Sequence, residues 1–396
     1  MKKKILIVGG GTAGTMTANN LAKKLMPEIE REEVELVMIS DSKNHYYRPG
    51  AMYVAFQKAA GHEFVRDQRS LLMPEIDFFV DPAVEINTKA NYVKGKSGKL
   101  YNYDFLVLAT GCEVAAERIP GLVEGGDWFY SYEGAKKIAE KFAKIKNGRV
   151  LVTVNFPKTP NIPHQCGIAP VETTMMLHDY LTERGVRENI EIIYTYPTKA
   201  QAVENGLFLQ SPTSKVLPSV FDSINVKHRT GFTLTKVDPA KKIAYSEEGE
   251  EIPFDILMST PPFKAAKVIR DSGLSKAMDD EGWLPTDKKT LKVIGLKNVY
   301  TLGDTVDLPV SKAGGTIHNQ TDVVADNIAA ELRYGYPTES YDGKVIAVAQ
   351  MGLSCGMPLW YDYEEDVQPT PCSKLGSFMR LGFNKGLYWA AARGML

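Results

Sequence analysis

Short unbroken apolar runs, read as buried strands, alternate along this chain with longer stretches of helix-forming composition. The first run is Ile5-Leu6-Ile7-Val8, and a helical stretch rich in Ala, Met, Leu and Lys follows from Thr15 to Lys24. Glu28 to Glu33 is a charged run expected at a solvated helix end, and Val34 to Ile39 is a second strand. Val93 to Gly111 reads as a hairpin through Lys99 to Asp104 and then a buried strand, Phe105 to Gly111. Arg149 to Val154 is another buried strand, with a helix expected from about Pro170 to Arg184 and a strand from Ile190 to Tyr194. A strand from Asn298 to Asp304 leads to a long helix from about Ile317 to Leu332.

The join between the first strand and helix carries the sharpest signal: Gly9-Gly10-Gly11-Thr12-Ala13-Gly14. This is G-x-G-x-x-G placed between an apolar strand and a helix. Gly9 permits the tight turn, Gly11 lets backbone approach a pyrophosphate, and Gly14 lets helix and strand pack closely. The phosphate then sits on the free N–H groups of the helix N-terminus. The second strand ends at Ser40-Asp41, where such a fold places its ribose contact; Asp41 is also good turn chemistry. His45-Tyr46-Tyr47-Arg48-Pro49-Gly50 is an aromatic loop next to the presumed cofactor. Ala109-Thr110-Gly111 ends a strand in small residues that let backbone lie close to a flat ligand. Gly303-Asp304, followed by Lys312-Ala-Gly-Gly-Thr316 and a helix, sets a carboxylate and a positive dipole end near one ligand.

A second dinucleotide domain would repeat the glycine fingerprint after Val154. The chain instead reads Asn155-Phe-Pro-Lys-Thr-Pro-Asn-Ile-Pro-His-Gln-Cys-Gly167, stiffened by Pro157, Pro160 and Pro163. At 396 residues two or three domains are expected. A net charge of −1 gives no polyanion-binding signature, so nucleic acid is not an expected partner. Four cysteines do not make a disulfide scaffold in a chain this long, which points them to catalysis or redox chemistry. No His/Cys grouping has metal-ligand spacing, and no metal is expected. No apolar stretch is long enough to cross a bilayer. Met1-Lys2-Lys3-Lys4 runs directly into the first strand, so no signal peptide is expected and the chain should stay on the cytoplasmic side. The tail, Ser373 to Leu396, mixes Phe378, Met379, Leu381, Phe383, Leu387, Tyr388 and Trp389 with Lys374, Arg380, Lys385 and Arg393 and has no acidic residue. That composition suits an amphipathic segment lying in a membrane interface, with a helix docked on its own domain as the alternative.

The glycine fingerprint, the Ala109-Thr110-Gly111 strand end and the Gly303-Asp304 strand end together resemble the two-dinucleotide-binding-domain flavoproteins. The resemblance implies an α/β fold of two Rossmann-like, doubly wound, three-layer domains plus the C-terminal amphipathic membrane-binding segment. The implied division is residues 1–112 and 269–340 for the FAD-binding domain, 113–268 for the second domain, and 341–396 for the tail. FAD would be bound non-covalently. Its pyrophosphate would lie on Gly9, Gly11, Thr12, Ala13 and Gly14, and its adenosine near Ser40, Asp41 and Val84. Backbone at Ala109, Thr110 and Gly111, the ribityl chain on Asp304, and the flavin ring under Gly315 complete the implied set. Within these flavoproteins the chain is most similar to the sulfide:quinone oxidoreductases. Cys166-Gly-Ile-Ala-Pro170-Val-Glu172 resembles their redox-cysteine motif, and Pro261-Pro262-Phe263, Gly282-Trp283-Leu-Pro and Lys312-Ala-Gly-Gly resemble further segments. Many members carry a third redox cysteine before the second strand set; residues 113–165 contain none here, and Cys112 abuts a strand end instead.

The implied chemistry uses a sulfur-bridged pair, Cys166 with Cys355, or Cys372 as the fallback partner. Hydrosulfide attacks such a bridge, leaving one cysteine as a persulfide and the other as a thiolate. Cys166 stands just ahead of a helix whose first turn would lower its thiol pKa. Phe378, Phe383, Tyr388 and Trp389 are candidates to line a route for a membrane quinone. Glu172 is a candidate proton carrier or a first-turn cap, and His164 and His318 are weaker candidates for proton handling. The expected protein is a peripheral, monotopic enzyme of the cell membrane, forming a homo-oligomer, with hydrosulfide, quinone and the bilayer surface as partners. The competing readings are a flavoprotein subunit of a sulfide dehydrogenase with a cytochrome acceptor, an NADH:quinone dehydrogenase, and a flavin-containing binding or assembly protein without turnover.

Overall fold

Parallel pairing of strands separated by helices builds the two central sheets. The structure is a computed structural model that describes residues 2–158, 162–197, 212–275, 280–365, 367 and 370–395, with the side chains of 212–216 left aside. Pro160 of the proline-rich loop and Leu396 of the tail lie outside the described residues. The first sheet has the order Val299–Thr301, Phe105–Leu108, Lys3–Val8, Val34–Ser40, Ile76–Val80, all parallel. Helices Thr12–Lys24 and Gly314–Tyr334 cover one face through Ile5, Ile7, Leu21, Val324 and Ile328. The antiparallel strands Ala83–Asn87, Tyr92–Gly95 and Leu100–Asn102 contribute Ile86, Val93 and Tyr101 to the other face, against Leu6, Val8 and Val37.

The second sheet repeats this plan. Its order is Gly126–Asp127, Ile256–Thr260, Gly148–Val154, Ile190–Tyr196, Val226–Thr230, again all parallel. Helices Tyr132–Lys144 and Ala169–Glu183 pack on Val150, Val152 and Ile192. A second antiparallel trio, Leu234–Asp238, Ile243–Ser246 and Glu251–Pro253, packs on Leu151, Ile193 and Leu257. The result is a pair of Rossmann-like three-layer units. Their strands point successive side chains into both covered faces, which is why they read as continuous apolar runs rather than alternating ones.

The expected elements are present with ends shifted by a few residues. The first helix starts at Thr12 rather than Thr15, the redox-loop helix spans Ala169–Glu183, and the long helix begins at Gly314. The charged run after Lys24 contains a short helix, Met26–Glu30.

The tail departs most from expectation. After the antiparallel hairpin Val345–Gln350 and Gly356–Tyr361, helix Lys374–Gly382 runs through one π-helical turn, Phe383–Leu387, into Tyr388–Ala392. Asn384, Tyr388, Trp389, Ala391 and Ala392 are buried against the body of the protein. Three of its four cations also bond to the body of the protein. Arg380 pairs with buried Glu172, Lys385 meets Glu63 at 2.8 Å, and Arg393 donates to the carbonyl of Ser70 at 3.2 Å. The docked alternative therefore holds for one face of the tail, while on the other Leu375 (66% exposed), Phe378 (73%), Met379 (58%) and Leu387 (55%) point out. No helix among the described residues is long and apolar enough to cross a membrane.

The ion pair that fastens the tail is testable. Glu172 is fully buried and takes both Arg380 Nη atoms and the Gln350 backbone N–H, at 2.7 Å for the last. Removing one charge of such a pair leaves the other stranded in low dielectric. Glu172→Leu should lower stability by about 3 kcal/mol, whereas the double change Glu172→Leu with Arg380→Met should recover most of it; chemical denaturation of the three proteins checks this.

Candidate active site

Three strand ends of the first sheet and one loop of the second unit converge here. At the glycine turn, Gly9 has φ +115°, and a Cβ there would overlap the Ala109 carbonyl. A Cβ at Gly14 would overlap the Gly9 carbonyl, so the third glycine is demanded by helix–strand contact. A Cβ at Gly11 would meet nothing within 4 Å. Gly11 is also the helix N-cap, with no side-chain acceptor on the first-turn amides and no acidic residue among them. Thr12 and Ala13 open that helix, with Ala13 buried beneath the turn. These amides are left for an anion.

The remaining implied contacts arrange themselves around the same strand ends. Ser40 is buried against Gly10, and its hydroxyl donates to the exposed Asp41 carboxylate at 3.4 Å. Asp81 donates its backbone N–H to the Ser40 carbonyl, which brings the exposed Val84 to the same end of the sheet. Ala109 continues the central ladder by donating to the Val8 carbonyl at 2.9 Å. The Thr110 hydroxyl is buried without a partner, and a Cβ at Gly111 would stand in open space. Gly315 is different from its expected role. A Cβ there would overlap the Ile346 carbonyl of the hairpin, so this glycine accommodates backbone; Gly314 is the one with an open side.

Asp304 is held at the Gly303-Asp304 strand end by groups from both units. Gln165 Nε2 donates to Asp304 Oδ2 at 2.8 Å and to the Lys312 carbonyl at 3.1 Å, while its Oε1 accepts from the Cys112 thiol at 3.2 Å. Lys312 is buried, spends its ammonium on the carbonyls of Asp304 (2.8 Å) and Val306 (2.7 Å), and lies over the Trp283 ring at 4.1 Å. Burial pulls its pKa down to about 8 against the attraction of Asp304.

Cys166 follows directly. Its φ is +50°, an unfavourable region for a residue with a Cβ, and it is fixed there by two backbone bonds. Its N–H donates to the Lys312 carbonyl at 3.2 Å and its carbonyl accepts from Ala169 at 3.0 Å. Gly167 N–H donates to Ser311 Oγ at 3.1 Å. Burial raises the thiol pKa above the ordinary value of 9.0, opposed by the Arg380 charge and the N–H groups of Ala169 and Ile168. The expected helix effect is thus present but outweighed by desolvation, so the resting group is a thiol.

The expected Cys166–Cys355 bridge is not formed. Cys355 is bonded to Cys372, with Cα atoms 5.6 Å apart, and Cys112 and Cys166 are free. The cause is the hairpin tip. Gly352 packs on Asp179, and Leu353 N–H donates to Asp179 Oδ2 at 2.7 Å. This carries the tip toward the C-terminal half of helix Ala169–Glu183, whereas Cys166 precedes its start. Cys372 stands just before Ser373, the N-cap of the tail helix, which exchanges backbone bonds with Gly356.

The histidines and tail aromatics sort by burial. His164 is boxed by Phe156 and Tyr196, and burial lowers its pKa to about 4. His318 sits edge-on to Phe383 at 5.6 Å and is also held low by burial. Tyr388 and Trp389 face the interior, Phe378 faces out, and Phe383 is between these extremes. Sequence reasoning missed Gln165, Arg380 and the buried state of Lys312. A polar residue immediately before the motif cysteine was the available signal for Gln165.

Residues 3–153 match the pyridine nucleotide-disulphide oxidoreductase family. The chain is 27% identical over 349 residues to the mitochondrial sulfide:quinone oxidoreductase of Dictyostelium discoideum, an overlap of 86% of this chain and 73% of that one. The X-ray structure of the sulfide:quinone oxidoreductase from Aquifex aeolicus superposes with a TM-score of 0.83 at 22% identity, covering 99% of this chain and 92% of that one. The chain is a homologue of the sulfide:quinone oxidoreductases. This homologue is also 25% identical over 335 residues to an alternative NAD(P)H-ubiquinone oxidoreductase of Arabidopsis thaliana, covering 78% of this chain and 62% of that one. FAD fits the cradle: the open faces at Gly11, Gly111 and Gly314, the unsatisfied Thr110 hydroxyl and the bare helix N-terminus lie along one line of strand ends.

The thiol state is directly measurable. Alkylation of Cys166 should be slower at pH 7 than that of an unhindered thiol and should climb through pH 9, since burial holds the proton on. Non-reducing peptide mapping should recover Cys355 joined to Cys372 and label only Cys112 and Cys166.

Proposed function

We propose that this flavoprotein oxidises hydrosulfide at its cysteines and delivers the electron pair to a membrane quinone. The observation that carries the reading is the placement of Cys166. A free thiol is held in left-handed backbone at a helix start, one residue from the Gln165 side chain that reaches Asp304 and Cys112 at the strand ends of the cofactor cradle. Bound in that cradle, FAD takes up an electron pair and passes it to a quinone.

The chain's own residues supply the sulfur chemistry. Cys355 is held oxidised by Cys372. A Cys166 thiolate attacking Cys355 Sγ breaks the Cys355–Cys372 bond, with the electron pair leaving on Cys372, and makes the Cys166–Cys355 bridge. Hydrosulfide attacking that bridge forms a persulfide on one cysteine and expels the other as a thiolate. Each step exchanges one S–S bond for another, and the proton lost by the Cys166 thiol is available to the expelled thiolate. Arg380 favours the thiolate form of Cys166.

The reading as an NADH:quinone dehydrogenase is opposed by the missing second glycine fingerprint after Val154 and by the side chains buried there. Asn155 Nδ2 donates to Ser259 Oγ (3.0 Å) and to the Thr260 carbonyl (2.8 Å), and His164 and Tyr196 pack beside it. Asn155, His164 and Tyr196 are all buried at these strand ends. For the quinone, the outward row of Leu375, Phe378, Met379 and Leu387 gives the protein an apolar face that suits a lipid surface, with Phe383 beside His318 on its inner side. A peripheral position on the cell membrane follows from this reading, as does the assignment of Gly9, Gly11, Thr12, Ala13, Gly14, Ser40, Asp41, Val84, Ala109, Thr110, Gly111 and Asp304 to FAD.

Anaerobic titration decides the reaction. Sulfide should bleach the flavin band and NADH should leave it unchanged; the opposite pattern establishes the NADH:quinone dehydrogenase. Cys166→Ser and Cys355→Ser should keep FAD and lose sulfide-dependent quinone reduction. Full turnover by either protein places the chemistry at another sulfur. For the membrane, Phe378→Glu with Leu387→Glu should abolish co-sedimentation with vesicles while the melting temperature is unchanged; retained sedimentation refutes the lipid-facing role.

A further inference from the structure

The tail closes on the phosphate-binding turn through a buried chain of polar side chains. Tyr388, fully buried, places its hydroxyl 2.8 Å from Thr12 Oγ1 and 2.5 Å from His45 Nε2. His45 Nδ1 lies 3.2 Å from both Gln68 Oε1 and Thr15 Oγ1, and Gln68 Nε2 donates to Thr15 Oγ1 at 2.9 Å. Thr12 is the first residue of the glycine-turn helix and Thr15 lies one turn on. The tail thus bonds, across 376 positions of sequence, to the residue that opens the phosphate site.

The direction of these bonds follows from what each atom can do. Gln68 Oε1 can only accept, so the proton of His45 is on Nδ1. Burial lowers the His45 pKa to about 4, so the ring is neutral at pH 7 and Nε2 is an acceptor. Tyr388 therefore donates to His45 Nε2, and its oxygen accepts from the Thr12 hydroxyl. The Thr12 proton is spent inward, on the tail, and the residue serves an anion through its backbone N–H. Around this line, Tyr388 stacks on Tyr47 with centroids 3.6 Å apart. Tyr47 donates to Asn384 Oδ1 at 2.6 Å, and Asn19 Nδ2 donates to the Ala392 carbonyl at 2.7 Å.

We propose that Tyr388 is a positioning residue for the cofactor: acting through Thr12, it couples docking of the C-terminal tail to retention of FAD. The proposal rests on the FAD reading of the glycine turn and is independent of the sulfide chemistry. Tyr388 had been a candidate for a quinone route; its place is behind the pyrophosphate site.

Tyr388→Phe keeps the ring on Tyr47 and strands both His45 Nε2 and the Thr12 hydroxyl. FAD release from the diluted holoenzyme, followed by free flavin fluorescence, should be about tenfold faster, the size expected for loss of the single bond through Thr12 that reaches the cofactor site. Thr12→Val should produce a similar loss, and the double variant should be no worse than the weaker single variant. Coupling is reciprocal, so FAD must protect the tail. Trypsin cleavage after Lys385 and Arg393 should be slower in the holoenzyme than in the protein stripped of FAD, and this difference should shrink in Tyr388→Phe. The proposal is overturned if Tyr388→Phe lowers the melting temperature but releases FAD at the wild-type rate, if the two single losses add, or if FAD leaves tail cleavage unchanged. A wild-type protein that fails to respond to sulfide would sink the sulfide-oxidising reading and leave these outcomes as informative as before.

Discussion

Gln165 is the side chain on which the arrangement of the site depends. It belongs to the loop after the second sheet, yet its amide bonds to Asp304 and to the Lys312 carbonyl of the first unit and accepts the Cys112 thiol proton. Gln165 also pairs with Lys312 as an isolated β-bridge. An amide is the group this position needs, since donor and acceptor are required at once and neither partner can reverse its role. With Gln165 fixed, its neighbour Cys166 has no freedom: the left-handed backbone at Cys166 costs of order 1 kcal/mol or more and is held by bonds to Lys312 and Ala169. The strain is local, and it aims the one partly exposed free thiol.

What was legible in the sequence is what depends on neighbours in the chain. The glycine turn was readable because the first strand, the turn and the helix are contiguous, and the demands on Gly9 and Gly14 are set by backbone a few residues away. The Ala109-Thr110-Gly111 and Gly303-Asp304 strand ends were readable for the same reason. What crowds Gly315 was not legible, because the carbonyl beside it belongs to Ile346, on a hairpin whose approach no local pattern encodes. The resting partner of Cys355 was not legible for the same reason. Which thiol meets Cys355 is decided by Asp179 gripping the hairpin tip, a contact across 174 positions. The tail was read as presenting basic heads, but the acids that claim Arg380 and Lys385 are Glu172 and Glu63, each far away in sequence. A cationic, aromatic segment has the same composition whether its charges face lipid phosphates or buried carboxylates.

The tail therefore does two jobs with two faces, and the division follows residue chemistry. Its inward residues include Tyr388, Asn384 and Arg380, whose polar tips find partners. Its outward residues, Leu375, Phe378, Met379 and Leu387, have no polar atom to satisfy. Together they make an exposed apolar row along one side of the tail, the feature on which the proposed lipid-facing role rests. The single π turn at Phe383–Leu387 adds a residue to the helical repeat at the point where the two faces change over.

The titration state of the interior bears on how sulfur chemistry can run here. Burial holds Cys166 and Cys112 protonated and His164 and His45 neutral. The charges near these groups include Arg380, paired with Glu172, and Lys312, which is drawn to Asp304. A thiolate formed at Cys166 is thus made in a place that resists anions, and the groups that lower its cost are the Arg380 charge and the amides of Ala169 and Ile168. Both come with strings attached. The amides exist because the helix starts at Ala169, and Arg380 is there because the tail is docked. Lifting the tail would remove the cation nearest the redox thiol in the same motion that frees Tyr388 from Thr12. In the proposed function, docking of the tail would thus serve two anions, one on the glycine turn and one on Cys166, which gives a physical reason for one short segment to be anchored by both a buried ion pair and a buried hydrogen-bond chain.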